Sequence, residues 1–260
     1  MRTKQLFLTL ALLCAMVQGA WAQANWDEVY AMTGTTSANW MALTEGSTTG
    51  KTIGTAGATT YLHVTGNLTF SNSTLGGSGL TILGTVYLYV PQGVTITCTG
   101  ANADGQTGAG AGIELTAGNA LCLLGKGAVS ATGGNAADGG DGLKGGDADW
   151  NSSNYWSGTG GTGGYGGGGA GAGIGTRGGD GGAGGAGAAS VISKWSNWDH
   201  LDGYSGFAGQ AGATAGAMGE VYKTNSFGSL TATGGAAGSS GSAGDAGKSM
   251  LYDGIQMSAD

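Results

Sequence analysis

The sequence predicts an all-β fold: a right-handed parallel β-helix with glycine-rich insertions and a small N-terminal cap. Three observations carry that expectation. Short β-rich runs follow one another from Thr59 with no room for a core helix between them, a five-residue strand pattern returns three times, and glycine, 60 of 260 residues, is concentrated in tracts with a period of three.

The chain opens with basic Arg2 and Lys4, an apolar run from Leu6 to Val17, and small residues at Ala20 and Ala22. That arrangement reads as a secretory signal peptide over 1–22, cleaved near Ala22, and places the mature protein outside the cell, secreted or at the cell surface. The apolar run falls short of the roughly 20 residues a membrane-spanning helix needs, so no transmembrane segment is expected. Cys14 follows Leu13, where a lipid-anchor signal wants a small residue. Removing the signal leaves seven basic against sixteen acidic side chains, a net charge of −9. Such a chain repels phosphate backbones, which disfavours nucleic acid as a partner. Cys98 and Cys122 remain; export permits a disulfide, and the competing reading is two small buried side chains in neighbouring strands. Collagen is excluded, since Pro91 is the single proline.

Residues 23–58 are mixed in composition and read as the cap. "NWDEVYAM" begins at Asn25 and "SANWMAL" at Ser37, both capping residue types, which predicts two short helices with Trp26, Val29, Met32, Trp40 and Leu43 as their apolar contacts. Such an end would cover the first exposed edge of a stack of strands.

From 59 to 260 the expected unit is a rung of about three short strands. Ile96-Thr97-Cys98-Thr99-Gly100, Val129-Ser130-Ala131-Thr132-Gly133 and Leu230-Thr231-Ala232-Thr233-Gly234 share the order apolar, hydroxyl, small, Thr, Gly. "GAGAGI" recurs at Gly108–Ile113 and Gly169–Ile174. Period-2 geometry turns Ile96, Val129 and Leu230 into one inward column and leaves Thr and Ser outside as a hydroxyl ladder. The right hand follows from strand twist and crossover preference. The end at Asp260 leaves two readings open: the repeat stops there, or the chain is part of a longer protein.

The glycine sits in excursions at about 133–169 and 175–219. Gly178, Gly181, Gly184 and Gly187 mark a period of three, which suits an extended threefold helix with bare edges through which backbones can hydrogen-bond laterally. A flexible linker is the competing reading. Leu143, Trp150, Tyr155, Trp156, Tyr165, Ile174, Val191, Ile192, Trp195 and Trp198 make the tracts too apolar for a typical tether. The periodicity resembles the polyglycine II bundles of the snow flea antifreeze protein and of some bacteriophage tip adhesins. Taken together, "GLTILGTVYLYVPQGVTITCTGANADG", "GAGAGIEL", "AVSATGGNAADGGDG" and "GAGAGIGTRGGDGGAGG" resemble the glycine-rich extracellular β-helix surface proteins of gut Bacteroidetes. That resemblance implies an architecture and a surface location and brings no active-site signature with it.

The expected function is therefore noncatalytic: an exported surface protein with a structural or adhesive role and glycan as the leading ligand class. Trp150, Tyr155, Trp156, Trp195, Trp198 and Tyr204 are the candidate ligand-binding residues, because aromatic faces stack on sugar rings and the neighbouring Asn and Asp can bind hydroxyls. The same aromatics could instead pack over the glycine layer. One alternative is a polysaccharide hydrolase or lyase, for which Asp138, Asp141, Asp147, Asp149, Arg177, Asp180 and His200 are the available polar groups; loop solubility explains them more simply. A second is an ice-binding-like solenoid using the hydroxyl ladder, although cross-strand stabilisation is the simpler reading of those residues. "DGGDGLKGGDADWN" lacks the helix-loop-helix and β-roll calcium signatures, and His63 and His200 belong to no zinc-type cluster, so neither metal nor cofactor is expected.

Overall fold

The computed structural model describes residues 33–34, 39–144, 149–151, 154–156, 162–184, 191–195, 198–202, 216–239, 241–242 and 250–251, the strands at 149–151, 154–156, 191–195, 198–202 and 250–251 through their backbone alone. The expected signal peptide and the helix expected from Asn25 lie outside these residues.

Two parallel sheets dominate. The first contains β1 (Met41–Leu43), β2 (Lys51–Val64), β4 (Leu80–Val90), β6 (Ile113–Glu114), β7 (Ala120–Gly125), β11 (Ile174–Gly175) and β14 (Glu220–Lys223). The second stacks β3 (Leu68–Ser71), β5 (Thr95–Thr99), β8 (Ala128–Thr132) and β15 (Ser229–Thr233) in that order. Ile96, Val129 and Leu230 stand in register, as the repeat predicts, and Leu68 extends their column by one strand. Met41–Leu43, expected to be helical, is instead a strand paired in parallel with Leu62–Val64. Pairing satisfies backbone groups along the edge of β2, which outweighs the weak helix signal of so short a segment. β2 itself begins at Lys51, inside the segment read as the cap.

Alternation of side chains builds the core. β4 buries Leu80, Ile82, Val86, Leu88 and Val90, β5 buries Ile96 and Cys98, and the residues of both sheets join in one apolar cluster. Cys98 faces that core from the second sheet, and burial pushes its thiol up to about 12. Cys122 is on the first sheet, outside that cluster, and both thiols are free. Ellman's reagent at pH 8 should label Cys98 rapidly only after denaturation; fast labelling of Cys98 in the native protein would contradict its placement.

Corner geometry decides where the chain can be lengthened. Gly84, at φ +70°, is skipped by the pairing of β2 with β4, and residues 55–58 bulge opposite it. Its N–H donates to Asn119 Oδ1 at 2.7 Å, in the turn between β6 and β7. The same position in the next layer, between β11 and β14, admits residues 176–219. The other excursion leaves between β8 and β11. In the excursions, β9 (Asp149–Asn151) and β10 (Asn154–Trp156) form an antiparallel hairpin, and β12 (Val191–Trp195) pairs antiparallel with β13 (Trp198–Asp202), to which β16 (Met250–Leu251), from beyond β15, adds a third antiparallel strand.

The glycine tracts are bonded sideways at intervals of three residues. Gly133, Ala136, Gly139 and Gly142 donate in turn to the carbonyls of Thr233, Ala236, Ser239 and Ser242, at 2.7–2.9 Å. On another side of the same tract an antiparallel neighbour donates from Gly171, Tyr165 and Thr162 to the carbonyls of Gly134, Gly140 and Leu143, and accepts the N–H of Ala137 at Gly168. That neighbour turns back on itself, with Ala172, Gly169 and Gly166 donating to Thr176, Gly179 and Gly182. Gly178 and Gly181 then donate to Ala109 and Gln106, which ties the far strand of the hairpin to the preceding layer. A backbone whose amides turn by a third of a revolution per residue needs neighbours on several sides, and side chains would hold those neighbours apart.

Candidate functional site

Three surfaces carry chemistry. The first is the acidic edge of the glycine tract. Asn102 Oδ1 accepts the N–H of Asn135, whose own Oδ1 accepts the N–H of Ala236, each at 2.9 Å. Asp138 Oδ1 accepts the N–H and the hydroxyl of Ser239, both at 2.8 Å. Asp141 Oδ1 does the same for Ser242, at 2.9 and 2.7 Å. Asp180 Oδ1 accepts from Gly108 N–H at 2.9 Å and from Arg177 at 2.6 Å. Asn135, Asp138 and Asp141, spaced by three, thus use short polar side chains to clamp the next layer, Asp180 clamps the preceding one, and the hydrogen bonds hold all three carboxyls below the usual carboxylate range. For Asp138 the Ser239 N–H is the larger cause, for Asp141 the Ser242 hydroxyl, and for Asp180 the Gly108 N–H.

A depressed carboxyl stabilises the fold fully above its ordinary pKa, near 3.8, and loses that contribution as pH falls through the folded-state value. Asp138→Asn with Asp141→Asn keeps an oxygen acceptor, as Asn135 does, and removes the titration. The expected result is a thermal midpoint little changed at pH 7 and a smaller drop between pH 7 and pH 3 than in the unmodified protein. An equal drop in both would show that these clamps do not govern acid stability.

The second surface is the outer face of the second sheet. Thr69, Thr97, Ser130 and Thr231 form one row across its four strands, and Ser71, Thr99, Thr132 and Thr233 another. The ladder expected from three recurrences therefore has a fourth step, supplied by β3.

The third surface is the outer face of the first sheet, where Tyr61, Tyr87, Cys122 and Tyr222 stand in register on β2, β4, β7 and β14. Trp40 packs against Tyr61 with ring centroids 5.4 Å apart, and Tyr61 stacks on Tyr87 at 5.1 Å with planes 16° from parallel. Tyr89, Leu124 and Trp40 are buried beside them. Beyond Tyr87 the row dips at Cys122 and rises again at Tyr222, which is 52 % exposed. A cavity of about 390 Å³ opens there, bordered by Thr85, Tyr87, Ala120, Cys122, Glu220 and Tyr222. The Tyr222 hydroxyl donates to Glu220 Oε2, which raises the phenol's pKa. Burial, with smaller contributions from Cys122 and Tyr61, raises that of Tyr87.

Of the residues expected to bind glycan, Trp150 is opposite Tyr155, Trp156 is opposite Asp149, and Trp195 is opposite Trp198 in the two antiparallel pairings. Their side chains, and Tyr204 altogether, lie outside the described residues. Sequence reasoning missed the tyrosine row. Its signal was present in "YLHV", "VYLYV", "LCLL" and "EVYK", where the outward positions of successive strands can be compared once register is known. Among the described residues no three of His, Cys, Asp and Glu gather as a metal site, and no helix is long and apolar enough to cross a membrane.

The chain matches no protein-family model, and no curated protein or solved structure matches it either.

Proposed function

We propose that the chain is a noncatalytic exported surface protein, a right-handed parallel β-solenoid whose glycine tracts pack in the manner of polyglycine II, with a structural or adhesive role and glycan as its ligand class. The observation that carries the noncatalytic part is the use made of the tract carboxylates. Asp138, Asp141 and Asp180, three of the five aspartates a hydrolase or lyase could draw on, are each committed to backbone N–H groups of an adjoining segment. A clamp of that kind serves rigidity. The adhesive part is supported by the aromatic row on the first sheet and by the paired aromatic positions of the two excursions.

A glycan array with the purified chain, run beside reducing-end and unsaturated-product assays on polysaccharides, tests both parts. Binding without product is expected. Product formation would overturn the noncatalytic reading, and silence in every assay would leave a purely structural role. A variant carrying Trp150, Trp156, Trp195 and Trp198 changed to Ala, with folding checked separately, reports whether the excursions contribute to binding.

A further inference from the structure

On the outer face of the first sheet, the strand β7 carries small side chains where its neighbours carry large ones. Cys122 lies between Tyr87 and Tyr222, and Ala120 between Thr85 and Glu220. β7 is therefore the floor of a trench one strand wide, with β4 and β14 as its walls. The Tyr61–Tyr87 centroid separation of 5.1 Å is close to the strand spacing of about 4.8 Å, so the rings stack along the direction in which the strands stack. One face of Tyr87 is thus covered by Tyr61, and the other is turned toward the space above Cys122. The two walls stand two strand spacings apart, about 9.5 Å, and a ring placed midway would be about 4.8 Å from each, within the ~4.5–7 Å range of ring stacking.

We propose that this trench binds one neutral hexopyranose unit, stacked on the open face of Tyr87 with Tyr222 opposite. The inference rests on the glycan reading above and supplies it with a place. A pyranose presents C–H groups on its faces and hydroxyls around its edge, and the trench pairs aromatic walls with the Glu220 carboxylate and the Thr85 hydroxyl along one end. Glu220 has lone pairs beyond the one engaged by Tyr222, so it can accept from ring hydroxyls. Lys223 also borders the trench and offsets that carboxylate locally, so discrimination against hexuronic acids rests on the net negative charge of the whole chain.

The test is a calorimetric titration of the purified full chain with free neutral hexoses, glucuronate and phenol, beside the glycan array. Cys122→Tyr continues the tyrosine stack into the trench and should weaken hexose binding at least tenfold. Tyr222→Ala removes a wall and should do the same, while Cys122→Ala leaves the trench open and should bind as the unmodified protein does. Should Cys122→Tyr fail to fold, Tyr222→Ala decides alone. Hexose binding retained in both Cys122→Tyr and Tyr222→Ala would overturn the trench as the site and leave the glycan reading standing. No binding to any hexose or any array glycan by the unmodified chain would overturn both. Glucuronate or phenol bound in preference to every neutral hexose would overturn the ligand class.

Discussion

Gly171→Ala should destabilise the protein by about 3 kcal/mol or more, the cost of overpacking joined to lost hydrogen bonds. Gly171 donates to the carbonyl of Gly134 and accepts the N–H of Gly235, both at 2.9 Å. A Cβ placed on it would collide with the carbonyl of Gly110. Backbone therefore crowds it from three segments, and no flexible side chain can move aside. Gly66→Ala is the matched control, since its Cβ would meet nothing within 4 Å and its backbone is ordinary. There the change should stay within about 1 kcal/mol, with a tendency to stabilise by restricting the unfolded chain. Chemical denaturation of the two variants provides the comparison. Equal, small effects would mean that the tract glycines are not in close contact.

Phe70→Ala should cost about 3–5 kcal/mol, the range for emptying a fully buried aromatic site. Phe70 has no exposed surface and shares its inward column with Cys98, Ala131 and Ala232, so it is the bulkiest member of a column that narrows along the stack. No neighbour in that column is large enough to fill the space. Leu230→Ala, at the partly buried last strand, should cost less than half as much. A larger loss at Leu230 than at Phe70 would place the weight of the core at the wrong end of the stack.

The second sheet was legible wherever one residue type recurs at one depth. "TITCT", "AVSAT" and "SLTAT" share a period-2 pattern, and β5, β8 and β15 pair in the register that pattern implies. β3 escaped the repeat because "LTFS" puts Phe70 where the others have Cys or Ala, and a large buried side chain at that depth hides the alignment. The tyrosine row was hidden differently. Its members are adjacent only after the bulge at 55–58 and the insertion at 176–219 are discounted, and both are consequences of the corner at Gly84. Met41–Leu43 was misread because an edge strand of three residues is held by its partner and carries too little pattern of its own. The glycine tracts revealed their period and withheld their partners. Pairing of Gly134 with Gly171, or Gly178 with Ala109, is specified by backbone groups common to every residue, so no side-chain code could announce it. The Asx clamps are the exception, since Asn135, Asp138 and Asp141 keep the spacing of three in the sequence itself.

Residue-resolved amide hydrogen exchange at pH 7 tests most directly whether lateral backbone bonding orders the glycine tracts. Gly134, Gly139, Gly168, Gly171 and Gly178 should exchange far more slowly than unstructured glycine, with protection approaching that of Ile96 and Val129 in the second sheet. Exchange of these five amides at unstructured-chain rates, while Ile96 and Val129 stay protected, would contradict the account and make the tracts flexible linkers hung on a β core.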